Sequence, residues 1–474
     1  MNSLKHERKF GFESWDKEKI NKVFSFAQDY KYFISENKTE REVVKTLRRI
    51  VEKQGFVEID AKDYTQNKPK KVFKVNRDKS IVLGIFGKKP VKEGIKMVLS
   101  HIDSPRIDLK PHPLYENEKI AWFKTQYYGG IKKYQWPAMP LAIHGVVVLE
   151  NGQKVEIKFG EKEDEPVLTI TDLLPHLSAK QMEKKLEEAV EAEEMNVVVG
   201  SVPTSNSKLK TLNSKSEEGK DLVKLGVLEL LNKKYGIIEE DLVSADLEIV
   251  PAGKARDLGF DSSMIGGYGQ DDRVCAFTSL QALLSLDEEK LGQGVVLVFA
   301  DKEETGSESN TGSLSSFIPD FISEMLFLEE GKHDENLLRD CLSATKAISA
   351  DVTVAYDPDY TSVFDPQNTA RLGAGIAVEK YCGRRGKSGT SEASAEYLGE
   401  IRRIFNKKAV LWQTGGLGKV DLGGGGTIAV FLARHNMDVV DAGPPILSMH
   451  SPFEISSKID VYSCFEAYQA FLSS

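Results

Sequence analysis

The reading of the fold turns on residues 295–306, VVLVFADKEETG. Five large apolar residues run without a polar break to Ala300 and then into Asp301, Lys302, Glu303 and Glu304. A short valine-rich run of this kind reads as a strand buried on both faces. The acids after it have a plain explanation, because charges collect where strands meet water. Asp and Glu are seldom buried unless they are paired or hold a metal. The rest of the chain has to decide between these two explanations.

The same pattern recurs after Gly259. GVVLVFAD, KAISADVTVAY, KAVLWQTGG and MDVVDAG alternate with helical runs, which predicts an α/β sheet with helices on its faces. Towards the N-terminus, residues 15–38 and 39–54 carry apolar residues at helical spacing. Asn37–Lys38–Thr39 with Glu42 resembles a capping box. VFKV and SIVLGIFG flank NRDK as a hairpin, and IKMVLS is a strand that ends at His101.

The middle of the chain differs. Residues 145–160 read as hairpin strands, and EKKLEEAVEAEE reads as a solvated charged run. Residues 205–220 form a polar, turn-prone loop. The simplest organisation is an α/β domain in two pieces, 1–112 and 253–474, with an insert at 113–252.

Composition narrows the function. The chain has 474 residues, more than one core usually serves, and a formal net charge of −9. That charge argues against nucleic acid, which calls for a concentrated Lys/Arg surface. The N-terminus, MNSLKHERKFGFESW, lacks the apolar core of a signal peptide, and no window reaches the ~18 apolar residues of a membrane span. The expected location is cytoplasmic. The four cysteines are far apart with no CxxC pair, so any metal should be held by His and carboxylates. TGGLGKVDLGGGGT fails as a phosphate loop, because Gln413 and Val420 stand where Gly and Ser/Thr are needed; it reads as a Gly-rich turn before a helix.

Five places put candidate ligands just past strand ends or beside turns: His101 with Asp103, Asp271 with Asp272, Glu303 with Glu304, Asp351, and His450. A lone His is more often structural, and a DD pair after glycines often caps a helix, a role open to Asp272. Two His and several carboxylates in this order form a constellation that chance explains poorly. Two zinc ions ~3.5–4 Å apart need one shared carboxylate and roughly two private ligands each. One further carboxylate must stay off the metal to act as general base. Another should fix the tautomer of a ligating His, and Asp103 is placed to do so for His101.

SHIDSPRIDLKP, YYGGIKKYQWPAMPLAIHGVVV, GQDDR, DKEETGS, SADV and MHSPFEISSKIDVYSCFEAYQAFL together resemble the aspartyl aminopeptidases, a family that includes vacuolar aminopeptidase I. The resemblance covers nearly the whole chain, with Ile102 where many relatives carry Thr. It implies a di-zinc peptidase α/β domain, with a central mixed sheet flanked by helices, interrupted by a mainly β dimerisation domain. His101 and Asp351 would hold one zinc, Glu304 and His450 the other, and Asp271 would bridge them. Glu303 would be the general base and Asp103 the orienter of His101. His144 would reach a neighbouring subunit's active site, and Lys387 would contact substrate.

The implied activity removes N-terminal residues, acidic or neutral, from peptides with a free N-terminus. Cobalt or manganese are the expected substitutes for the two zincs of each subunit. The implied assembly is a homo-oligomer built from dimers, typically a dodecamer. The rival readings are another di-zinc hydrolase, such as a carboxypeptidase or N-deacylase, and an assembly whose site has decayed.

Overall fold

The computed structural model describes residues 4–5, 7–59, 68–205 and 221–474. The expected loop at 205–220 lies, from 206 onward, outside the described residues. By its contacts the chain divides into two compact units. One takes the chain up to Ser104, then Lys254–Met449 and Phe453–Ser474; the other is Pro105–Gly253 with His450–Pro452.

The first unit is built on a nine-stranded sheet. Its strands are β1 (Val57–Glu58), β2 (Lys71–Asn76), β3 (Ser80–Ile85), β4 (Lys96–His101), β5 (Val295–Ala300), β6 (Lys346–Ser349), β7 (Ile376–Glu379), β8 (Trp412–Thr414) and β9 (Asp438–Gly443). Their order across the sheet is β1-β2-β3-β5-β4-β6-β9-β7-β8. The centre is parallel: β5 pairs with β4, β4 with β6, and β6 with β9. β2 and β3 form the expected antiparallel hairpin, and β3 joins β5 antiparallel, so the sheet is mixed.

The unbroken apolar run of β5 follows from this position. Val295, Leu297 and Phe299 enter one hydrophobic core, while Val296, Val298 and Ala300 enter another on the opposite face. Side chains alternate across a strand, so a strand covered on both sides has no polar face. Each fully buried Val or Leu contributes roughly 1.5–3 kcal/mol. The first core includes Phe277 and Leu280 of the helix Gln270–Leu284 and Tyr468 of Lys458–Leu472. The second includes Phe321 and Met325 of Phe317–Glu330.

The helices Lys17–Glu36 and Glu40–Lys53 lie where periodicity places them, and Thr39 with Glu42 forms the capping box. A smaller sheet in the same unit orders Arg256–Leu258, Met264–Gly267, Glu454–Ser457, Pro445–Leu447 and Thr353–Val354.

The second unit carries a seven-stranded sheet whose described pairings are all antiparallel, including the hairpin of Leu141–Val148 and Lys154–Phe159. The chain enters this unit after Ser104 and leaves it after Gly253, where sequence places the limits at 112 and 252. The first limit differs because Arg106–Asn117 is a single strand that continues through Pro111 and Pro113. Proline cannot donate to the ladder, and the register is interrupted between Leu109 and Leu114 there. The prolines mark an irregularity within one strand. The charged run forms only single turns, Leu186–Ala189 and Ala192–Glu194, and residues 183–188 are exposed. Among the described residues no helix is long and apolar enough to cross a membrane.

Candidate metal centre

Four of the five candidate places lie in the first unit, around the C-terminal ends of adjacent parallel strands. His101 is the last residue of β4 and stands in register with Ala300, the last residue of β5. Glu303 and Glu304 follow β5 in a single 3-10 turn, reached through Lys302 in the left-handed region at φ 69°. Asp351 lies two residues past the end of β6. Open α/β sheets bind ligands outside the carboxyl ends of their strands, because the strands aim successive loops into one crevice.

His101 is almost fully buried, at 1% exposure. Its Nε2 faces two carboxylates, Asp271 Oδ1 at 3.1 Å and Asp351 Oδ1 at 3.6 Å. Its Nδ1 lies 3.0 Å from the backbone oxygen of Asp103 and 3.3 Å from Asp103 Oδ1. A proton on Nδ1 is held by these oxygens, which leaves the Nε2 lone pair converging with two carboxylate oxygens. Only a cation at that point makes the arrangement favourable. Burial lowers the His101 pKa, but hydrogen bonds to Asp103, Asp271 and Asp351 outweigh it and raise it well above the usual value. The donor set, an imidazole nitrogen with carboxylate oxygens, fits zinc.

Asp103 does more than hold the imidazole. Its Oδ1 accepts the backbone N–H of Glu303 and its Oδ2 that of Glu304, both at 3.2 Å. One fully buried carboxylate thus ties the ligand strand β4 to the glutamate turn after β5. Burial pushes the Glu303 carboxyl up to about 8; Asp351, Asp103 and Asp271 push the same way and His101 opposes them. Burial also raises Asp351 above its usual range. A half-buried carboxyl that titrates near neutrality is suited to proton transfer.

Asp271 and Asp272 depart from helical φ/ψ at the start of Gln270–Leu284, so the regular helix begins just after Asp272. Asp272 is fully buried, and its Oδ2 accepts the N–H of His101 at 3.4 Å. Ligand atoms of His101, Asp272 and Asp351 lie within 4.8 Å of one another, as do those of His101, Glu303 and Glu304. Asp301, read as one of the solvated strand-end charges, is fully buried and accepts from Thr311 Oγ1 at 2.6 Å. Burial pushes its carboxyl up to about 7.

His450 sits on the turn between Pro445–Leu447 and Glu454–Ser457, which pair through Ile446 and Ser456. Its backbone is left-handed, at φ 64°, and its Nδ1 lies 2.9 Å from Gly130 O. His144, on Leu141–Val148, is fully buried with Nε2 2.9 Å from Glu161 Oε1. Lys387 is exposed at the turn of the ribbon formed by Tyr381–Arg384 and Ser388–Glu392.

A buried His/carboxylate cluster past the central strand ends of an α/β sheet offers a site for a divalent metal ion. The comparisons with known proteins give the family. The family model described as aminopeptidase I zinc metalloprotease (M18) matches residues 33–472. A probable M18 family aminopeptidase 1 of Clostridium acetobutylicum is 46% identical over 476 residues, covering 100% of both chains. The solved structure of an M18-family aminopeptidase from Thermotoga maritima has a TM-score of 0.92 at 43% identity, covering 99% of each chain. Aminopeptidase I from C. acetobutylicum gives 0.90 at 44% identity, with 99% and 100% covered. The chain belongs to the M18 family of zinc aminopeptidases, hydrolases that act on peptide bonds.

Proposed function

We propose that the chain removes N-terminal residues from peptides with the help of two zinc ions. Asp271 would serve both ions, His101 and Asp351 would hold one, Glu304 and His450 would hold the other, and cobalt or manganese would substitute. When bound, the ions act as Lewis acids towards the scissile carbonyl and the attacking water. The free α-amine of the substrate is anchored at the same place, which sets the reaction at the first peptide bond. Glu303 accepts the proton of the attacking water and returns it to the leaving amine. Asp103 keeps the His101 ring and the Glu303–Glu304 turn in register throughout. The observation that carries this reading is His101 Nε2 aimed at Asp271 and Asp351 while Nδ1 is held by Asp103.

His144 is proposed to serve a neighbouring subunit's active site, with Glu161 holding its Nε2. Lys387 is proposed to contact the N-terminal side chain of the substrate, acidic or neutral. Residues 113–252 are proposed as the dimerisation domain of a cytoplasmic homo-oligomer, with the dodecamer as the expected form.

The test is hydrolysis of matched peptides with free and acetylated N-termini, after chelation and after adding back zinc. Cleavage of the free peptides alone, restored by zinc, is expected. Preferential cleavage of the acetylated peptides would replace this reading with that of an N-deacylase.

A further inference from the structure

We infer that Glu454 is a positioning residue for the metal centre, holding the bridging Asp271 through its backbone; this rests on the two-zinc reading above. The start of the helix Gln270–Leu284 is unusual. Its N-cap is Gly269, in the left-handed region at φ 72°, which offers no side-chain acceptor. Asp271 and Asp272 then depart from helical φ/ψ. The N–H groups at a helix start have no acceptor within the helix and must find one elsewhere.

Glu454 supplies it from a different strand. Its Oε2 accepts the N–H of Gln270 at 2.7 Å and of Asp271 at 3.2 Å, and its backbone oxygen accepts Gln270 Nε2 at 2.7 Å. The carboxylate is 1% exposed, and the strand that carries it is fixed by pairing between Gly267 and Glu454.

The arrangement repeats what Asp103 does on the other side of the centre. Asp103 takes the N–H pair of Glu303 and Glu304; Glu454 takes that of Gln270 and Asp271. The peptides that carry Glu304 and Asp271 are thus each gripped by a buried carboxylate. Glu454 also begins the strand that follows the His450 turn, only four residues on. The same hairpin therefore bears a proposed ligand and the clamp on the bridge.

A simple helix cap and a positioning residue differ in what their loss disturbs. Losing a cap lowers thermal stability alone. Losing a residue that orients a ligand typically weakens metal affinity by roughly 10–100-fold. The experiment titrates zinc into the metal-free full-length protein against a competing chelator, with kcat and KM measured in parallel. Glu454→Gln and Glu454→Asp are compared with Ser456→Ala, on the same strand, which removes a 2.5 Å hydrogen bond to Gln270 Oε1.

Both Glu454 variants are expected to bind zinc about 10–100-fold more weakly, with kcat falling more than KM changes. Ser456→Ala is expected to keep wild-type zinc affinity. If Glu454→Gln does not fold, the shorter carboxylate of Glu454→Asp carries the comparison. Zinc affinity within twofold of wild type in a folded Glu454 variant overturns the inference, as does equal weakening by Ser456→Ala. A wild-type protein that binds no zinc would instead overturn the two-zinc reading itself.

Discussion

Replacing Asp103 with asparagine removes one of the two carboxylate oxygens that receive the N–H groups of Glu303 and Glu304. An asparagine in the same place accepts at one oxygen and presents an NH2 group at the other. At least one charge-assisted hydrogen bond is lost, worth about 1.5–3 kcal/mol, and an N–H donor is left facing another donor in a buried site. The loss falls on the turn that carries the proposed base and a proposed ligand, so most of it should appear in the barrier. Each ~1.4 kcal/mol is a factor of ten in rate, which places the fall in kcat/KM at roughly 10–100-fold or more. The assay is steady-state hydrolysis of an aminoacyl substrate with zinc in excess, alongside thermal unfolding to establish that the variant is folded. A folded Asp103→Asn protein with kcat/KM within threefold of wild type would refute the reasoning.

The buried acids also fix how stability depends on pH. Burial raises Glu303 to about 8, Asp301 and Glu379 to about 7, and Asp441 to about 6. In the unfolded chain such groups ionise near 4–4.5. As pH rises from there to about 8 the unfolded state loses protons that the native state keeps, so stability falls. The unfolding midpoint of the metal-free protein should be lower at pH 8 than at pH 5.5, by scanning calorimetry; a midpoint that rises with pH contradicts this. Gly443→Ala tests packing against a proposed ligand: its Cβ would lie 1.8 Å from the backbone oxygen of Asp351. Overpacking of this kind costs about 1–3 kcal/mol, so zinc affinity should weaken and turnover fall at least tenfold; unchanged values of both would show that the strand yields.

The sequence exposes this protein unevenly. The run at 295–300 is legible because a strand buried on both faces must be apolar throughout, and His101 and Asp351 are legible because they follow such runs at once. The limit of the first unit is not legible, since Arg106–Asn117 is one strand that runs across residue 112. Asp272 and Asp301 have plain local explanations, a cap and a solvated strand end. Their burial comes from neighbours far away in sequence, such as the backbone of His101 for Asp272. Glu454 carries no local signal, because its role depends on a pairing between strands nearly two hundred residues apart. His144 is visible only through resemblance; its half-buried partner Glu161 lies 17 residues on, beyond the hairpin turn.

The central claim is that Glu303 is the base and Glu304 a ligand, although the two are adjacent. Glu303→Gln tests it most directly, by zinc content per chain and kcat on the same preparation. The account predicts two zinc ions per chain, as in wild type, with kcat lowered by a factor of about 10²–10⁴. Near-normal turnover, or loss of zinc in step with activity, would contradict it.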